Sequence, residues 1–145
     1  MFNLADYLDN ILPLVPEVKK TYKTSDLSQI EQLLGDIRNN PDVAIIVRET
    51  GDGYLNLKDR QLDSGYHNFF LVVRSNGKNS DDRHLAKKKA FEIGLKVLRI
   101  MKSQSADFGD PCYGIDFSKI DYLGIGPIGM DYHGYSFYFL TEQSV

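Results

Sequence analysis

Tryptophan is absent from this 145-residue chain, and cysteine occurs once, at Cys112. A lone thiol makes no internal disulfide, so the fold rests on its packed core and suits a reducing compartment. Cys112 sits in "GDPCYG", with no neighbouring His or helix N-terminus to lower its pKa, which argues against a nucleophile. Histidine is nearly as scarce: His67, His84 and His133 are the only three. None pairs with another at i, i+4 or forms H-E-x-x-H, so no helical zinc site is expected. Basic charge is in deficit, 17 Lys and Arg against 20 Asp and Glu, for a net charge of -3. That excludes a whole-chain field for polyanions, and no specific nucleic-acid binding is expected. The one basic run, Lys87 to Lys89, fans around a helix and makes no single stripe.

Other absences narrow the chemistry. No apolar run approaches the roughly 18 residues of a membrane span. The opening "MFNLADYLDN" lacks the basic and apolar regions of a signal peptide, so residence in the bacterial cytoplasm is the expectation. The chain contains no P-loop, no G-x-S-x-G elbow and no C-x-x-C. Nothing nominates a nucleophile or a base, so a non-enzymatic protein without metal or cofactor is expected.

What the sequence has is aromatic and periodic: nine Tyr, eight Phe and 42% hydrophobic residues, ordinary for a folded chain. In "NLADYLDNILPLVP", Leu4, Tyr7, Leu8, Ile11 and Leu12 recur at helical spacing behind Asn3 as cap, until Pro13 and Pro16. A second helix is expected in "SDLSQIEQLLGDIRNN", on the face of Leu27, Ile30, Leu33, Leu34 and Ile37. Ser28 with Glu31 forms one possible capping box there, and Ser25 or Asp26 is an alternative cap. The period then changes to that of strands: "VAIIVRET" from Val43 to Thr50, a short strand at Tyr54 to Leu57, and "HNFFLVVRS" from His67 to Ser75. Gly51 to Gly53 reads as a turn, and the charged stretch Tyr54 to Asp63 as a hairpin arm.

Ser80, followed by Asp81 and Asp82, predicts the start of the longest helix. Ala86, Ala90, Ile93, Val97, Ile100 and Met101 form its apolar face. A loop follows, then two strands in "IDFSKIDYLGI" and "MDYHGYSFYFLTEQ". The order predicts one α+β domain over 1–145, with a helical part at 1–41 and a sheet with a long helix at 42–145. The expected sheet is mostly antiparallel, of four to five strands, with one long amphipathic helix on one face and two N-terminal helices.

Gly124, Gly126 and Gly129 spell G-x-G-x-x-G, the pattern of a dinucleotide turn. That turn needs a helix opening at the third glycine and about 30 residues of βαβ unit. Here an aromatic run with period two follows, and Pro127 removes an N–H from the presumed cradle. The glycines are therefore expected to kink or bulge the connection between two edge strands. His67, His133 and Asp131 are candidates to meet across neighbouring strands as a metal or catalytic group, with ordinary strand-end roles as the plainer reading. A small ligand- or protein-binding domain, with its cleft near Gly124 to His133, is a further alternative.

The pattern of "HNFFLVVRSNGKNSDDRHLAKKKAFEIGLKVL" followed by "IDYLGIGPIGMDYHGYSFYFLTE", preceded by the strand "VAIIVRET", resembles phage tail-completion and tail-terminator proteins. The resemblance spans roughly Val43 to Glu142 and is one of element order. The two N-terminal helices depart from it. It implies a structural role in phage or prophage tail assembly: self-association into a ring, commonly hexameric, at the end of the tail tube. The implied partners are tail-tube and head–tail connector proteins, and the implied destination is the virion tail. Tyr54, Leu57, Arg60, Tyr132, Tyr135 and Tyr138 are the candidate subunit interface, the C-terminal tyrosines being equally suited to a core.

Overall fold

The computed structural model describes residues 2–19, 21–25, 29, 42–49, 51–58, 61–75, 79–107, 109–128 and 131–144. Its first element, α1 (Leu4–Ile11), starts where Asn3 accepts a hydrogen bond from the Asp6 N–H and ends in a single 3-10 turn, Leu12–Leu14, containing Pro13. The sheet strands are β1 (Thr21–Thr24), β2 (Val43–Arg48), β3 (Gly53–Asn56), β4 (Leu62–Arg74), β5 (Asp121–Ile128) and β6 (Tyr132–Ser144). The long helix, α2 (Ser80–Gln104), lies between β4 and β5 in the chain.

The fold is α+β, as expected, but the sheet is mixed and has six strands. Its order is β1-β2-β4-β6-β5, with β3 pairing β4 off that path. Four of the five strand pairs are antiparallel; β1 runs parallel to β2, with Thr21 opposite Ile45. A parallel pair needs a crossover of a dozen or more residues, and 25–42 supply it. The second helix expected from the sequence falls in that stretch, almost wholly outside the described residues. β1 itself escaped the sequence reading: "TYKT" is too short and polar to announce a strand, and only its place beside β2 makes it one.

β2 and β3 form one interrupted line along β4. Arg48 stands opposite Asn68, and Gly53 opposite Gly65. Only Tyr66 and His67 of β4 separate those two pairs, so the line is broken by a bulge to which Glu49, Gly51 and Asp52 belong. Gly51 has a φ of 63°, a left-handed conformation in which a Cβ is strained, which explains a glycine at this bend.

Strand alternation sorts the side chains into two layers. Val43, Ile45, Val47, Phe69, Leu71, Val73, Phe137 and Phe139 share a core with α1 and with Ala90, Ile93, Val97 and Met101 of α2. Both helices thus cover the same face. Ala44, Ile46, Phe70, Val72 and Tyr132 form a second buried cluster on the opposite face. β4 is buried on both faces over Phe69 to Val73, which accounts for the unbroken apolar run in its sequence.

The ends of β2 and β3 moved by one or two residues, and three other boundaries shifted. β4 begins at Leu62, five residues before the expected start, because β3 and β6 both pair with its polar first half. β5 begins at Asp121; Ile115 makes only an isolated bridge with Thr141. The cap of α2 is Asn79, whose side chain accepts from the Asp82 N–H, so Ser80 is its first residue instead.

Candidate functional site

The glycine stretch is an edge strand. Gly124 and Ile125 continue the regular ladder opposite Tyr135 and Gly134, and the register slips between Ile125 and Ile128. Gly126, at φ 126°, precedes Pro127 across a cis peptide bond. The expected bulge is present, but it lies within β5 and not between two strands. A Cβ on Gly126 would also come within 2.7 Å of His133 Nδ1. Gly129 falls outside the described residues.

The histidines do not meet. His67 is opposite Phe139 and His133 opposite Val73, six positions apart along the sheet, or about 20 Å at 3.3 Å per residue. Among the described residues no group of three His, Cys, Asp or Glu could hold a metal ion. Burial lowers the pKa of His133, and the charges of Lys87 and Arg83 push it down further. Asp131 lies 3.7 Å from Arg74 Nε.

His67 instead belongs to a cleft that the sequence did not foretell. Its ring stacks on Phe139 at 5.5 Å and takes the edge of Phe2 at 5.1 Å. Its Nε2 is 3.0 Å from the Thr141 hydroxyl, which donates to the Gly65 carbonyl. That hydroxyl oxygen is then the acceptor for an Nε2–H, the neutral tautomer that fits a ring whose pKa burial lowers. Around this wall opens a cleft of about 790 Å³, bounded by the start of α1, by Glu49, Gly51 and Asp52 of the bulge, and by the floor of Gly53, Gly65 and Thr141. A Cβ at Gly65 would crowd Thr141 and His67 at 3.3 and 3.4 Å. Its one sequence signal is Gly65 itself, a glycine inside a strand, which marks close approach.

The candidate interface residues separate into different environments. Tyr54 is half exposed on β3, with its ring 6.2 Å from that of Tyr66, and Leu57 is exposed just beyond β3. Arg60 lies outside the described residues. Tyr132 is buried in the core of the face away from the helices. Tyr135 joins a cluster of rings with Phe91 and Tyr122 at 5.4 and 5.8 Å, under α2. Tyr138 is half-buried on the opposite face, across from Asn68 and Asp121.

Exposed apolar side chains concentrate at the two sides of the sheet. Of the nine large exposed hydrophobic residues described, Tyr54, Leu55, Leu57 and Tyr66 lie on the β3–β4 arm, and Tyr122 and Leu123 on β5. Every residue of β3 is exposed. The chemistry of these surfaces is that of contact: aromatic and aliphatic groups beside open strand edges. Comparison with protein-family models, curated proteins and solved structures finds no match to this chain.

Proposed function

We propose that the chain is a non-enzymatic assembly subunit of the phage tail-completion or tail-terminator kind, which self-associates into a ring at the end of a tail tube. The observation that supports this best is the β3–β4 arm. There every residue of β3 is exposed, and Tyr54, Leu55, Leu57 and Tyr66 stand in the open. A subunit that works by docking to copies of itself and to tail-tube protein has a use for such an arm, and a self-contained domain does not. Assembly would take place in the bacterial cytoplasm before the subunit enters the virion. The test is molar mass in solution, alone and with tail-tube protein. Rings or partner-triggered oligomers are the expected result. A chain that stays monomeric under both conditions refutes the proposal.

The cleft beside His67 favours a second reading, a domain that binds a ligand or a peptide. Its size is within the range of small-molecule sites, and it combines the apolar Phe2 with the polar His67, Asp63 and Thr141. This reading predicts thermal stabilisation by a ligand in a stable monomer, lost on Gly65→Leu, which fills the floor. If no member of a metabolite and peptide panel stabilises the wild-type chain, the reading fails.

A further inference from the structure

We propose that copies of this chain join edge to edge, the free edge of β3 in one copy pairing antiparallel with β5 of the next. The inference rests on the self-association proposed above and names the surfaces that perform it.

Among the described residues, β3 pairs only with β4 and β5 only with β6, so each leaves one row of backbone N–H and C=O groups without a ladder partner. The two edges are on opposite sides of the sheet. Their directions follow from the ladder: β3 is antiparallel to β4, β4 to β6 and β6 to β5, so β3 and β5 run opposite ways. Placing a second copy beside the first in the same orientation therefore brings β5 against β3 as an antiparallel pair.

Side-chain alternation agrees with that placement. Tyr54 stands opposite Ser64, on the face away from the helices, and Leu55 opposite Asp63, on the helical face. On β5, Leu123 and Ile125 share the first face, opposite Ser136 and Gly134; Tyr122 and Gly124 share the second, opposite Phe137 and Tyr135. One register satisfies both faces: Asn56 meets Leu123, Leu55 meets Gly124 and Tyr54 meets Ile125, and it carries Leu57 and Lys58, just past the end of β3, toward Tyr122 and the opposite charge of Asp121. The pairing ends at Gly126, where β5 leaves its regular ladder. In this arrangement the helices of both copies lie on the same side of one continuous sheet.

The contact is heterologous, because two different edges meet, and repetition of it closes a ring or continues as a filament. It also gives the exposed apolar residues of both sides of the sheet a common role.

Two variants test it, both at exposed positions. One blocks the arm (Leu55→Lys with Leu57→Lys), and the other blocks β5 (Leu123→Lys). Circular dichroism and thermal melting of each should match wild type. Light scattering after size exclusion is expected to find wild type oligomeric and each variant monomeric. An equal mixture of the two should yield a one-to-one dimer, since only one intact β3 edge and one intact β5 edge remain to pair. Charge exchange supplies an independent arm: Lys58→Asp and Asp121→Lys each weaken assembly, and the two together restore it. If wild type is oligomeric but the mixture stays monomeric, or both blocked variants keep the wild-type mass, the edge pairing is wrong while the assembly role survives. A wild type that is monomeric alone and with tail-tube protein removes both.

Discussion

Helix α2 crosses the sheet most closely at Gly94, and substitution there opposes two well-defined effects. Gly94 is buried, and a Cβ at this position would lie 2.4 and 2.5 Å from Cε2 and Cζ of Phe137. Carbon atoms in contact sit near 3.5–4.0 Å, so the overlap is about 1 Å. The Phe137 ring has little room to move: it is stacked on Phe69 at 5.2 Å and bordered by Phe91 and Tyr135 at 6.2 and 6.4 Å. Gly94→Ala gains about 1 kcal/mol of helix propensity. Overpacking a well-filled core costs about 1–3 kcal/mol, and two atoms at such short range place this case near 3. The expected net loss is about 2 kcal/mol, or about 4–8 °C in melting temperature for a chain of this size. Urea unfolding followed by circular dichroism measures it. The partner variant Phe137→Leu lowers stability itself but removes the obstructing ring atoms, so Gly94→Ala in that background should be neutral or stabilising. If the alanine stabilises the wild-type background, or costs the same in both, the close helix–sheet contact does not explain the glycine.

Further outcomes follow from single side chains. Asn79→Ala removes the acceptor for the Asp82 N–H and should destabilise by about 1 kcal/mol in the same unfolding assay, with Asn79→Ser retaining most of the wild-type value. Burial pushes the Cys112 thiol up to about 12, and its side chain is wholly enclosed. Ellman's reagent at pH 8 should therefore modify it at the rate of global unfolding, and fast labelling of the folded chain would contradict its enclosure. Burial lowers the folded-state pKa of His67, so the unfolded chain takes up the proton first as pH falls. Its contribution to stability is complete above about pH 6.5 and is lost below it at up to about 1.4 kcal/mol per pH unit. Urea midpoints between pH 7.5 and 5 should fall less steeply for His67→Gln than for wild type.

The helices and the central strands were legible because local sequence and final environment agree. The 3.6-residue period of α1 and α2 and the apolar run Phe69 to Val73 each report the layer they pack in. β1 was not legible, since Thr21 to Thr24 become a strand only by pairing with residues more than twenty positions later. The first half of β4 misled for a related reason. Leu62 to Gly65 carry charge and glycine, yet two neighbouring strands hold them in the sheet. The glycines of β5 were read as a bulged connection between two strands; the bulge falls inside one strand instead, and the missing helix after them was the clue against a nucleotide turn. The suspected meeting of His67 and His133 depended on register, which similar short contexts do not determine. The cleft depended on Phe2 reaching across to His67, a contact between segments with no pattern in common. Of the tyrosines proposed for an interface, Tyr132 proved to be core, because its strand position places it on the buried back face.

The pairing of β4 with β6 also sets an order of events during folding. Arg74 pairs with Tyr132 and Leu62 with Ser144, separations of 58 and 82 residues. As the chain leaves the ribosome, β2 and β4 can form their hairpin at once, but the partner on the other side of β4 has not yet been made. Until β6 arrives, Phe69 to Val73, an unbroken apolar and β-prone run, has an open edge. Pairing at such range is slow, and a waiting strand of this composition invites contact with other chains. Helix α2, made in the interval, buries one face of that strand but cannot cap its edge. Production of soluble protein should accordingly respond to temperature and to chaperones that bind extended apolar segments, most strongly when substitutions weaken β6.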